Sequence, residues 1–253
     1  MSVTGEKQEK TATHQNEVLF GEIELKYPKW LLYSIAMTIA LSHMYSNVSS
    51  LYIMNEYAYH AIMEDEYPNG DNIQNQDSSG SVCVVNTSTV EYQQQVVVQQ
   101  LTSEWNTYCT LATNIPAIIL NMNIATYSDV YGRKMFFILP LVGTFLKTLL
   151  CTFGIYFKIN IELFTIFYGI EGFSGLWTTT LAMSFCLVAD VTEPGKGRSI
   201  VISIIECAVG IGALFGTLLS GYLISWTNGF LYPMLITAAV VFIALIIVIL
   251  FLP

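Results

Sequence analysis

Two charged clusters and a few isolated ionisable residues hold the chemistry available to this chain. The first cluster, Asp129, Gly132, Arg133 and Lys134, lies in SDVYGRKMFF (128–137). Gly132 permits a tight turn, Asp129 can cap a helix terminus, and two adjacent cations hold a loop on the cytoplasmic side of a membrane. The second cluster, Asp190 and Arg198, brackets the Pro-Gly turn of VADVTEPGKGRS (188–199). An ion pair between these two residues would cross that turn easily.

The isolated residues sit inside apolar runs. Glu206 lies among Cys207, Gly210 and Gly212. A carboxyl group in lipid is protonated, paired or turned to a wet cavity. Such a group suits a reversible proton carrier, and it also suits a structural acid bonded to a neighbouring helix. Lys147 falls near the middle of another run, where a cation costs about 2.5–3.5 kcal/mol on insertion scales. Its expected partner is Glu171 or Glu206. Phe173 and Trp177 follow Glu171 at helical i, i+4 spacing and would either line a cavity or pack against neighbours. His43 reads as a satisfied interior histidine before a proton relay. The chain has five cysteines but no CxxC spacing, and it lacks an HExxH motif, a Ser-His pair and a phosphate-cradling loop. No metal, cofactor or catalytic residue is therefore expected, and an enzyme is the poorest functional class.

The elements that position these residues are apolar segments. Charged residues make up 11% of the chain and hydrophobic ones 53%, with a mean hydropathy of +0.54. A soluble domain is about one-quarter charged. Spans are expected over 30–53, 105–127, 135–157, 161–189, 199–226 and 230–252. Each approaches or exceeds the roughly 20 residues that cross a bilayer core. The second is the most polar and contains Pro116, so it should face other helices or water. The expected fold is an all-α membrane protein with a six-helix domain over 28–253 behind a polar tail at 1–27. A six-span count alone also fits a rhomboid or a small channel.

Basic residues set the orientation. Lys7, Lys10, Lys26 and Lys29 precede the first span, and the two clusters above follow the second and fourth. With six spans these fall on one side, which the positive-inside rule makes cytoplasmic, with both termini. Residues 54–104 then form a long outer loop with eight acidic residues and no Lys or Arg. Asn86-Thr-Ser is an N-glycosylation acceptor there. Cys83 is that loop's one cysteine, and the other four lie in helices, so it is a disulfide candidate for a partner outside this chain. No basic patch points to a nucleic acid.

SDVYGRKMFF resembles the major facilitator signature GxxxDxxGR[KR], with Ala125 in place of the first glycine. LTSEWNTY (101–108), TYSDVYGRK (126–134), GIEGFSG (169–175), VADV (188–191) and IIECAVGIGALFGTLLSGY (204–222) are similar to the proton-coupled folate transporter family, solute carrier family 46. The resemblance covers about residues 80–253. It implies the amino-terminal half of a major facilitator fold, a 3+3 inverted repeat. It further implies alternating-access symport of protons with folate-like or other organic anions, in the plasma or lysosomal membrane. In that family the signature loop locks helix ends together, so Asp129, Gly132, Arg133, Lys134, Asp190 and Arg198 become a gating motif. The fifth-helix glutamate implies proton coupling at Glu206. From their own chemistry, and not from the resemblance, Lys147, Glu171, Phe173 and Trp177 are candidates for the substrate cavity. Cys83 would bond a cysteine between the seventh and eighth helices. The implied partners are a small organic solute, protons, the bilayer, and a missing carboxy-terminal half or second chain. A transport-inactive regulatory partner of a full-length relative is the alternative.

Overall fold

A computed structural model of the chain describes residues 28–68 and 90–252. The 1–27 tail, Cys83, Asn86 and the side chain of Asp129 lie outside the described residues. Seven α-helices account for nearly all of the rest: α1 Lys29–Glu66, α2 Val90–Tyr131, α3 Arg133–Phe157, α4 Phe164–Gly172, α5 Leu176–Val191, α6 Lys196–Thr227 and α7 Leu231–Phe251. Among the described residues, four runs are long and apolar enough to cross a membrane: Arg133–Phe157, Ile161–Val191 (α4 and α5 together), Lys196–Thr227 and Leu231–Phe251.

The breaks between helices follow local chemistry. Gly132 takes φ +88°, a left-handed value that a side chain resists, and lets α3 start immediately after α2. Asn160 accepts a 2.9 Å hydrogen bond from the Glu162 amide and opens the 3-10 turn Ile161–Leu163. Lys158 and Asn228 end α3 and α6 in left-handed conformations.

Two expectations are corrected here. The outer loop expected at 54–104 is helical at both ends, because α1 runs on to Glu66 and α2 begins at Val90. These stretches are too polar to extend a hydropathy window, yet Met54, Ala58, Ile62 and Val98 are buried in them. The run 161–189 is not one helix. It breaks at residues 173–175, Gly175 and Leu176 adopt φ +94° and +65°, and Phe173 is 71% exposed. Phe173 and Trp177 therefore do not share a helix face.

Packing has a two-fold pattern. The largest interfaces join α1 to α6, α3 to α7, α1 to α7, α2 to α4, and α3 to both α4 and α5. Exchanging α1 with the α4–α5 unit, α2 with α6, and α3 with α7 maps this set onto itself. Glycines bring the corresponding pairs close. A Cβ on Gly212 of α6 would sit 2.5 Å from the Leu41 carbonyl of α1, and one on Gly172 of α4 would collide with the Thr113 carbonyl of α2.

The interior is layered. One apolar cluster contains Ile35, Ile39, Phe137, Leu141, Met183 and Val248. Another contains Ile53, Met54, Cys151, Phe164, Tyr168 and Met234. Along α1, α3 and α7 the residues between these clusters include a buried polar set: His43, Ser46, Ser49, Thr144, Lys147, Thr148 and Thr237.

Candidate functional site

The first site is the end of the bundle where the basic turns meet. Arg133 Nη1 lies 2.7 Å from Asp190 Oδ2, which ties the start of α3 to the end of α5. Lys134 Nζ donates to the Ile249 carbonyl at 2.9 Å, near the end of α7. Arg198 Nη2 donates to the carbonyls of Ala189, at 2.9 Å, and Thr192, at 2.5 Å. Each cation thus sits at a helix C-terminus, where free carbonyls concentrate partial negative charge. This corrects the expected pairing. Asp190 meets Arg133, and Arg198 meets the backbone, because the guanidinium folds back over the α5 terminus that its own turn leaves open.

The second site is the buried polar layer. Lys147 Nζ donates to Glu171 Oε2 at 2.7 Å, with the side chains 2% and 1% exposed. Tyr168, one turn before Glu171, places its ring centroid 5.1 Å from the ammonium. Thr144 Oγ1 donates to Glu171 Oε1 at 2.9 Å. His43 Nε2 lies 2.9 Å from Thr144 Oγ1, and Nδ1 lies 2.8 Å from Thr180 Oγ1. A hydroxyl has one proton, and that of Thr144 goes to the carboxylate. Nε2 is therefore the donor to Thr144, and Thr180 donates to Nδ1. The chain joins α1, α3, α4 and α5 with every ring and carboxylate atom satisfied.

Of the two partners expected for Lys147, the structure selects Glu171. Glu206 is exposed on α6 and stands apart from this layer. Gly210 beside it also faces open space, and exposed Ile204, Ile211, Leu214, Leu218 and Tyr222 share that helix. The exposed Ile115, Ile118, Ile119 and Met122 make a second apolar surface on α2. Trp177 is half-buried, and Phe173 points outward. Sequence reasoning placed His43 as an interior residue but missed its link to Glu171, because Thr144 and Thr180 are ordinary hydroxyls in apolar runs. Tyr168 was missed for the same reason.

At the opposite end a cavity of about 970 Å³ is bordered by Tyr57, His60, Glu64, Glu104, Trp105 and Glu162. Its charged rim is mostly acidic.

Residues 80–253 match the Major Facilitator Superfamily, which covers both basic turns, Lys147 and Glu171. The chain belongs to the Major Facilitator Superfamily. Among individual members, it is 30% identical over 200 residues to the lysosomal proton-coupled steroid conjugate and bile acid symporter of Bos taurus, covering 79% of this chain and 42% of that protein. It is 27% identical over 180 residues to the Gallus gallus protein of the same name, covering 69% of this chain and 38% of that protein. Against the proton-coupled folate transporter of Bos taurus it is 25% identical over 127 residues, covering 50% of this chain and 28% of that protein. The chain thus spans less than half the length of these relatives. Membership makes it an integral membrane protein of a transporter superfamily, like its solute carrier family 46 relatives, and not an enzyme.

Proposed function

We propose that this chain is the six-span amino-terminal half of a proton-coupled organic-anion symporter that works by alternating access. The observation that carries the reading is the 2.7 Å ion pair between Arg133 and Asp190. It clasps the turn between the second and third spans to the end of the fourth, where a major facilitator protein needs a contact that forms in one state and opens in the other. α1 and α2 complete the count of six, and the exchange symmetry of the packing supports a 3+3 repeat. Both termini are cytoplasmic, as the basic turns indicate, in a plasma or lysosomal membrane. Asn86 is then glycosylated on the outer side. Cys83 bonds a cysteine of the remaining half, whose seat is the apolar surface of α2 and α6. Glu206, on that surface, serves proton coupling at the junction of the halves. Relatives named for folate and for bile acids and steroid conjugates motivate the organic-anion class.

The test is uptake of a labelled bile acid and a labelled folate by cells expressing the complete reading frame that carries this sequence. Uptake should rise in acidic medium and fall with Arg133→Ala. No uptake above background for either compound at acidic or neutral pH, with the protein present at the membrane, would sink the proposal.

A further inference from the structure

We infer that His43, Thr144 and Glu171 form a reversible proton wire that stores one proton on Glu171. The inference deepens the proton-coupled reading above and rests on it only for the purpose of the stored proton.

The bond order makes the wire directional. Thr180 donates to His43 Nδ1, His43 Nε2–H donates to Thr144, and Thr144 donates to Glu171 Oε1. Thr180 is buried, so the proton must reach its Oγ1 through an opening of the bundle, and on arrival it displaces that hydroxyl's own proton onto Nδ1. The ring then loses its Nε2 proton to Thr144 Oγ1, and Thr144 passes its former proton to Oε1. Each step breaks one bond to hydrogen as it forms another. The ring ends neutral as the other tautomer, the carboxylate ends as a carboxylic acid, and the net change is one proton gained.

Both end states keep every bond in the chain. After transfer Glu171 donates to Thr144, Thr144 to Nε2, and Nδ1 to Thr180, so no buried polar atom loses its partner. Lys147 also retains a place in the protonated state. Its bond to Oε2 persists toward a carbonyl-like oxygen, and the Tyr168 ring still faces the cation at 5.1 Å.

The other ionisable groups near Glu171 are Cys109 from α2, Cys151 from α3 beside Lys147, and Tyr168 from α4 itself. α1 supplies His43, and α5 supplies the Thr180 hydroxyl. Cys109 Sγ lies within hydrogen-bond reach of Thr165 Oγ1, at 3.5 Å. The acid is therefore set against one cation and one imidazole, with the sulfhydryls and the phenol as neutral neighbours. It also lies just before the break at residues 173–175, and Ser174 Oγ donates to its carbonyl at 2.6 Å. A change of charge on the side chain thus occurs at the one point where the fourth span is discontinuous.

Infrared difference spectroscopy of the purified, lipid-reconstituted product of the complete reading frame tests this directly. Acidification should produce the carbonyl stretch of a buried carboxylic acid. The band should be absent in Glu171→Gln and present in Glu206→Gln. Glu171→Gln sets Lys147 against a neutral oxygen, as the protonated acid does, and Glu171→Gln with Lys147→Met is run beside it as the form without the buried cation. His43→Gln keeps a donor and an acceptor between the two threonines but cannot relay, so the band should grow more slowly after a pH jump. A band that survives both Glu171 variants, or no titrating band at all, overturns the assignment, as does an unchanged rate in His43→Gln. The measurement needs no substrate. A titrating Glu171 without acid-stimulated uptake would uphold the wire and defeat the transporter reading, and uptake without a titrating Glu171 would do the reverse.

Discussion

Lys147 Nζ and Glu171 Oε2 lie 2.7 Å apart in a bundle interior that leaves neither side chain more than 2% exposed. From Arg133, at the start of α3, Lys147 is about 21 Å along the helix, well inside a core roughly 30 Å thick. Removing one member strands the other, at a cost of about 3–5 kcal/mol, whereas replacing both with neutral groups is far less damaging. Lys147→Met should therefore lower the melting temperature of the purified protein sharply, and adding Glu171→Gln should recover most of the loss. Equal melting temperatures for the single and double variants would show that the two groups do not act as a pair.

The Arg133–Asp190 clasp is partly exposed, at 27% and 39%, so it contributes little to stability. Its effect should appear in transport. Arg133→Asp and Asp190→Arg should each abolish acid-stimulated uptake, and the two combined should restore part of it. A double variant no better than either single one would mean that the contact is incidental.

Gly212 and Gly210 are two residues apart on α6 and should respond oppositely to alanine. At Gly212 the new Cβ would lie 2.5 Å from the Leu41 carbonyl, and the helices would have to part, at about 1–3 kcal/mol. At Gly210 nothing lies within 4 Å, and the helix gains up to about 1 kcal/mol of propensity. Thermal melts of the two variants check the contrast.

Glu206 is exposed on α6, so Glu206→Gln should leave the melting temperature of the chain unchanged. If Glu206 serves coupling at the junction of two halves, acid stimulation of uptake should disappear while uptake at neutral pH persists. Wild-type acid stimulation in that variant would remove Glu206 from the mechanism.

The helical class, the turns at Gly132 and 192–195, and the position of Lys147 in an apolar run were all legible in the sequence, because hydropathy and glycine report on local constraints. What was not legible depends on three dimensions. Met54, Ala58 and Val98 are buried by neighbours, although the stretches around them are too polar to read as spans. Asp190 chose Arg133 over the nearer Arg198, and separation along the chain gave no hint of that. The break after Gly172 lies in a stretch, GIEGFSG, whose apolar content and length read as an unbroken span. Thr144 and Thr180 matter only because His43 stands between them.

The break within Ile161–Val191 divides that run into two arms that hold different things. The short arm, α4, carries Glu171 and is gripped by α2 and α3. The long arm, α5, leans on α3 and α1 and reaches about 21 Å from Leu176 to Asp190 at its tip. Leu176 sits at φ +65°, a conformation that costs on the order of 1–3 kcal/mol in a residue with a Cβ. A pivot under tension between an acid and a latch is a lever, and a rotation of about 8° there would sweep Asp190 across more than the length of its bond to Arg133. Neutralising one buried carboxylate would then be felt at the far face of the membrane as displacement, with no need for charge to travel between the two sites.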